Sequence, residues 1–137
     1  MHAQQILAAH PQVAGLTDDA LIRCIEDCYD CSQVCTSCAD ACLGEKAVAD
    51  MVQCIRSCLD CADVCLTTGQ TGSRRTGSNE LLIATMLESC ETACRLCAEE
   101  CEKHAYRMEH CAICAAACRR CERACRDARL SLGRRVQ

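Results

Sequence analysis

The sequence predicts an all-α protein: an antiparallel up-down-up-down four-helix bundle with a short N-terminal helix and a core lined by cysteine. Three observations lead there. The 137 residues contain 19 cysteines gathered in four clusters, the intervals within each cluster alternate between four and three, and turn-forming residues separate the clusters. With 3.6 residues per turn, a 4-3-4 rhythm keeps side chains on one stripe of a helix, and as a seam it is the heptad a/d pattern. A strand requires period two, which these intervals lack.

Taken in order, residues 1–16 are expected to form a short helix interrupted by Pro11 and lying against the outside of the bundle. The first bundle helix starts at Thr17-Asp18-Asp19, which offers an N-cap and first-turn acids. It carries Cys24, Cys28, Cys31, Cys35, Cys38 and Cys42 and ends at Gly44. A helix of about 27 residues is about 40 Å long. The second helix is expected to begin almost at once and to carry Cys54, Cys58, Cys61 and Cys65. Gly69 to Gly77 reads as the one real loop, with Ser78 capping a third helix that holds Cys90, Cys94, Cys97 and Cys101. The cysteine phase slips before Cys114, so a tight turn is expected around His104 to Tyr106. The fourth helix then presents Cys111, Cys114, Cys118, Cys121 and Cys125. The unit C-x3-C-x2-C-x3-C starts at Cys24, Cys31, Cys54, Cys90 and Cys114. Short connections favour antiparallel neighbours, so residues 17–132 form the bundle, with 1–16 an N-terminal segment and 133–137 a C-terminal tail.

Composition narrows the chemistry. The chain has no Phe, no Trp and two Tyr, so aromatic packing does not fill this interior. The start, MHAQQILAAHPQVAGL, lacks the basic residues and cleavage site of a secretory signal, and no apolar run is long enough to span a membrane. The expectation is a cytosolic protein with reduced thiols. Net charge is −4, which offers nucleic acid no general attraction. Seven acids lie between Thr17 and Glu45 and seven arginines between Arg119 and Arg135, suggesting neighbouring helices with complementary surfaces. No aromatic residue is interleaved with the arginines to stack on bases.

Why a helix bundle would line itself with thiols has three answers. Cysteine can be a small core hydrophobe, but it fills less volume than Leu, and a whole seam of it makes a poor core. A disulfide ladder is the second: residues three or four apart have Cβ atoms about 5–6 Å apart, against about 3.5–4.5 Å in a disulfide, so links within a helix are strained, and 19 cysteines leave one thiol over in any case. Metal is the third. Soft thiolates select Cu(I), Zn(II) or iron–sulfur clusters. Stacked tetrahedral zinc sites of four thiolates would each bury a net negative charge, whereas Cu(I) balances thiolate about one to one, with bridging sulfurs sharing ions. An iron–sulfur electron-transfer protein is the first rival, but its bacterial motif, C-x2-C-x2-C-x3-C-P, is a wrapping loop and not a helical stripe. A general zinc or heavy-metal sponge is the second. The C-x2-C of Cys28 and Cys31 lacks the strands of a thioredoxin fold.

On this repeated unit the chain resembles the four-helix-bundle copper storage proteins, specifically their cytosolic branch, over roughly residues 17–130. The resemblance implies storage of many Cu(I) ions per bundle, ligation by all the cysteines from Cys24 to Cys125, and assembly into a homotetramer. Outward apolar residues such as Ile22, Ile25, Leu59 and Leu66 lend weak support to association. No catalytic base, nucleophile or phosphate loop stands out, so coordination and not turnover is the expected function. The expected partners are further copies of the chain and a transient copper chaperone, with no nucleic acid and no membrane.

The bundle's two ends differ. Beyond Cys24, Cys65, Cys90 and Cys125 the stripes continue into Leu21, Ile83, Met86 and Leu132, an apolar plug. Beyond Cys42, Cys54, Cys101 and Cys111 they continue into Met51, His104 and Met108, with His110 nearby. Thioether and imidazole donors suit capture of Cu(I), so these four residues are the expected copper mouth.

Overall fold

The computed structural model describes residues 1–13 and 15–136. Helix α1 spans Ala3–Ala9, α2 Asp19–Leu43, α3 Val52–Ser73, α4 Glu80–Glu102 and α5 Glu109–Val136, with a 3-10 turn at Val48–Met51 before α3. In the bundle α2 packs against α3 and α5, and α4 against the same two, so the four long helices form an antiparallel square. The expected tail is helix through Val136, because the apolar contact of Leu132 and the hydrogen bonding of Ser131 carry α5 past the end of the core.

Asp18 opens α2 as expected. Its Oδ1 accepts hydrogen bonds from the backbone N–H groups of Ala20 and Leu21 at 3.0 and 3.2 Å, two donors left unpaired at any helix start. Its Oδ2 accepts from the Ser131 hydroxyl at 2.9 Å, tying the start of α2 to the end of α5.

Two connections differ from the reading of the sequence. Gly44 does end α2, but α3 does not follow at once: a turn and the 3-10 segment intervene. Antiparallel helices stand about 8–10 Å apart, a gap that a single residue does not cross. The expected loop from Gly69 is mostly helix, and only 74–79 lie outside α3 and α4. Gly69 and Gly72 are small because α2 passes close by. A Cβ at Gly69 would stand 3.1 Å from the Tyr29 ring, and one at Gly72 would stand 3.2 Å from Ile25. Thr68, Thr71 and Ser73 turn their hydroxyls back onto the carbonyls one turn earlier, at 2.7 to 2.8 Å, and so stay inside the helix. Gly77, at φ +75°, is the true turn glycine. Ser78 does not cap α4: Asn79 takes the N-cap position, and the Ser78 hydroxyl donates to the Glu80 carboxylate. The turn after α4 falls where the phase slip put it, from Lys103 onward.

Helix α1 ends before Pro11 and lies on the outside of α2, burying Leu7 against Leu21, Ile22 and Ile25. Ile22 and Ile25 are therefore covered by the chain's own N-terminal helix and do not face a neighbour. Leu59 and Leu66 remain exposed. The arginines of α5 also pair differently from expectation. Arg126 and Arg129 reach Glu91 at 3.0 and 3.2 Å, and Arg119 reaches Glu102 at 2.9 Å, all on α4. Towards α2, Arg120 reaches Asp30 at 3.6 Å. Glu122, buried on α5, is held between Arg119 and Arg126.

Candidate metal centre

All 19 cysteines are buried free thiols, none more than 2% exposed. The heptad rhythm places each on the inward stripe of its helix, and the square arrangement brings the four stripes together. Within one helix, Cys31 lies 3.8 Å from Cys35, and Cys61 lies 3.7 Å from Cys65. Between helices the sulfurs are as close: Cys24 to Cys125 at 3.5 Å, Cys35 to Cys118 at 3.6 Å and Cys65 to Cys94 at 3.6 Å.

These contacts build groups of four sulfurs lying within 4.8 Å of one another: Cys28, Cys90, Cys121, Cys125; Cys31, Cys65, Cys94, Cys121; Cys31, Cys35, Cys61, Cys118; Cys35, Cys97, Cys114, Cys118; and Cys38, Cys58, Cys101, Cys114. Each group shares a member with the next. Cys121 links the first two, Cys31 the second and third, Cys35 and Cys118 the third and fourth, and Cys114 the fourth and fifth. Separate tetrahedral zinc sites would not share ligands in this way, and an iron–sulfur cluster needs an enveloping loop where this chain has helix. A continuous column of bridging thiolates suits a monovalent soft ion.

No buried cation balances the column: among the described residues the buried polar groups are Thr68, Thr71 and Glu122, none of them basic. Thiols at one end are correspondingly reluctant to ionise. Burial first, and then the neighbouring thiols Cys38 and Cys54, push Cys111 up to about 12. Cys42 is raised in the same way, by burial and then by Cys54. Cys38 is the contrast, drawn down to about 7 by hydrogen bonds within the thiol cluster, Cys101 first, with a further contribution from His110.

The expected mouth residues gather at this end without forming one site. Met51 and Met108 are buried in the same core cluster as the terminal thiols. His104 sits beside Glu100, Nε2 to Oε1 3.6 Å, and helps to lower the Cys54 thiol after the larger effects of Cys101 and Cys58. His110 makes the direct sulfur contacts: its Nδ1 is 3.3 Å from the Cys38 sulfur and 3.6 Å from that of Cys111. Burial disfavours its charge, but hydrogen bonds to Cys38 and Glu45 outweigh this and raise its pKa. A shallow cavity between α2 and α5, lined by Ser37, Cys38, Ala41, His110 and Ile113, reaches Cys38 from the side. Sequence periodicity assigns residues to stripes and ends, and so missed this lateral approach and the carboxylate of Glu45. At the opposite end Ile83 and Leu132 are buried as expected and Leu87, not Met86, completes the plug, whereas Leu21 is buried in the separate cluster beneath α1. Met86 is half-buried because its position turns towards the rim of the stripe.

A family model described as copper storage protein matches residues 17–130. The chain belongs to the copper storage protein family. Solved structures agree with this assignment. The Streptomyces lividans copper storage protein Ccsp loaded with 10 copper equivalents is 45% identical, with a TM-score of 0.89 over 93% of this chain and 98% of that one. A structure of copper loading to the cytosolic copper storage protein of Streptomyces lividans, with five coppers, is 49% identical, with a TM-score of 0.80 over 82% of this chain and 93% of that one. A variant of the same relative with one histidine replaced by alanine is 49% identical, with a TM-score of 0.82 over 83% and 95% of the two chains. Comparison with curated protein sequences gives no match. As a copper storage protein, this chain binds several Cu(I) ions through its cysteine clusters and has no catalytic turnover to perform.

Proposed function

We propose that this copper storage protein holds Cu(I) on all 19 of its cysteines, in the cytosol, and admits the ions at the end of the bundle that carries His104 and His110. The observation that carries the proposal is the overlap of the four-sulfur groups, which lets Cys31, Cys35, Cys114, Cys118 and Cys121 each bridge neighbouring ions. Residues 17–132 act as the storage unit, with helix α1 of the N-terminal segment packed on its outside. The mouth consists of Cys38, Cys111 and His110, backed by Met51, His104 and Met108. The Streptomyces lividans relative, described as cytosolic, supports the compartment. A homotetramer is the proposed assembly, supported by the exposed Leu59, Leu66, Leu96 and Ile113 on the outer faces of the bundle. A copper chaperone is the proposed transient donor or acceptor.

Anaerobic titration of the reduced protein with Cu(I) against a competing chelator tests the proposal, read as ions bound per chain, with zinc and iron run in parallel. A plateau comparable to the number of thiols is expected for Cu(I). A plateau at a few ions, or stronger zinc binding, overturns it. Replacing His104 and His110 together by Phe should slow uptake and leave capacity intact, and an unchanged rate removes the mouth from the reading while leaving storage standing. Native mass spectrometry of the full chain reports the tetramer.

A further inference from the structure

The turn between α2 and α3 carries Glu45 to the surface of α5, where its Oε1 lies 3.0 Å from Nε2 of His110. The other ring nitrogen faces sulfur, with Nδ1 3.3 Å from Cys38 and 3.6 Å from Cys111. An ionised carboxylate accepts hydrogen bonds and donates none, so the hydrogen in the first contact belongs to Nε2. In the neutral ring that leaves Nδ1 with a bare lone pair on the thiol side. The opposite tautomer would set a nitrogen lone pair against the carboxylate and offer the thiols an N–H in place of a donor atom for a metal.

We propose that Glu45 is the positioning residue of the copper mouth, holding His110 in the Nε2–H tautomer so that Nδ1 is the nitrogen an incoming Cu(I) meets beside Cys38 and Cys111. The inference rests on the reading of His110 as a capture ligand. Three separate elements converge on the ring: α2 supplies Cys38, α5 supplies His110 and Cys111, and the intervening turn supplies Glu45. The carboxylate and imidazole side chains are 35% and 25% exposed, so the pair sits where the column meets solvent and not within it. A carboxylate behind a ligating imidazole fixes the ring's orientation and raises its basicity, and losing such a partner typically lowers metal affinity or activity about 10–100-fold. Thiols deeper in the column should not depend on Glu45.

The test follows the ring and the copper separately. In 15N-labelled, reduced, copper-free protein, the imidazole nitrogen–proton correlations of His110, followed as pH is raised until the ring loses its second proton, report which nitrogen keeps the hydrogen. The wild type is expected to show it on Nε2. Glu45→Gln, whose amide oxygen still accepts, should keep that pattern, and Glu45→Ala should show a mixture of tautomers. In stopped-flow uptake from a weak Cu(I) chelator, Glu45→Ala is expected to slow the earliest phase about tenfold with the final number of ions unchanged, and Glu45→Gln to restore most of the rate. A hydrogen on Nδ1 in the wild type, or an unaltered tautomer and rate in Glu45→Ala, overturns the role of Glu45. His110→Ala separates the two readings. If it slows uptake while Glu45→Ala does not, capture by His110 stands and the positioning role fails. If it leaves uptake unchanged, the capture reading fails, and the positioning role fails with it.

Discussion

A thiol in the middle of this bundle does more than one at its end, because it belongs to more than one group of sulfurs. Cys118 is within reach of Cys31 at 3.8 Å and Cys35 at 3.6 Å and takes part in two four-sulfur groups, whereas Cys42 approaches Cys54 only at 4.0 Å. Cys118→Ser should therefore reduce the Cu(I) capacity by about two ions and Cys42→Ser by about one, since each ion needs two or three soft ligands. Chelator-competition titration of the two variants measures the difference. The same residues set a pH dependence. Cys111 titrates at about 12 in the folded chain against an ordinary 9.0, so its neutral form is favoured by folding. Stability from such a group is present below the ordinary value and is lost as pH rises through the folded one. Copper-free protein should accordingly lose thermal stability between about pH 9 and 12, while the loaded protein, its thiols already deprotonated by metal, should not. Differential scanning across that range, with and without Cu(I), checks the sign.

At the scale of the helix, the glycines separate close approach from turn formation. Gly72 lies against buried Ile25 and Leu21, so that an added methyl would stand 3.2 Å from the Ile25 side chain, while Gly69 faces the Tyr29 ring, which is half-buried and can swing. Gly133, in α5, has nothing within 4 Å of an added Cβ. Alanine is favoured over glycine in a helix interior by about 1 kcal/mol, and overpacking costs about 1–3 kcal/mol. Gly133→Ala should thus stabilise the copper-free protein by up to about 1 kcal/mol. Gly69→Ala should be close to neutral, and Gly72→Ala should destabilise by about 1 kcal/mol. Thermal or urea unfolding of the three variants orders them. The glycines also explain where sequence reading stopped short. A run of Gly, Thr and Ser has the composition of a loop, and only the position of α2, set by distant contacts, shows that Gly69 and Gly72 are there for clearance and that the hydroxyls are satisfied within the helix.

For the molecule as a whole, the helical frame also has contacts that involve no sulfur. Ile83, Leu87 and Leu132 pack at one end of the thiol core, and Leu7 of α1 packs on Leu21, Ile22 and Ile25. Copper loading is expected to leave the far-ultraviolet circular dichroism unchanged while raising the melting temperature, because ligand that binds the folded state and not the unfolded one stabilises by mass action, about 4.1 kcal/mol at a thousandfold excess over Kd. A large gain in helix on loading would point to a bundle that folds around its copper instead. Arg119, Arg126 and Arg129 clamp α5 to α4 through Glu102 and Glu91 on the outside. These partly exposed pairs contain no metal ligand, so the helix-to-helix sulfur contacts that copper bridges are the place where loading adds stability.

The amino-acid sequence already specifies the helices that carry thiols, the stripe on which they lie, the soft monovalent ion that suits them and the end at which softer side ligands gather. It does so because helical periodicity and ligand chemistry are local: the interval between two cysteines fixes their shared face, and the thiolate fixes the metal class. Helix packing, in contrast, sets which thiols bridge, buries Ile22 and Ile25 beneath α1, gives most α5 arginines partners on α4 and not α2, and brings Glu45 behind His110 with a side cavity reaching Cys38. Those features depend on how separate helices are rotated and spaced against one another, and no single helix's periodicity carries that information.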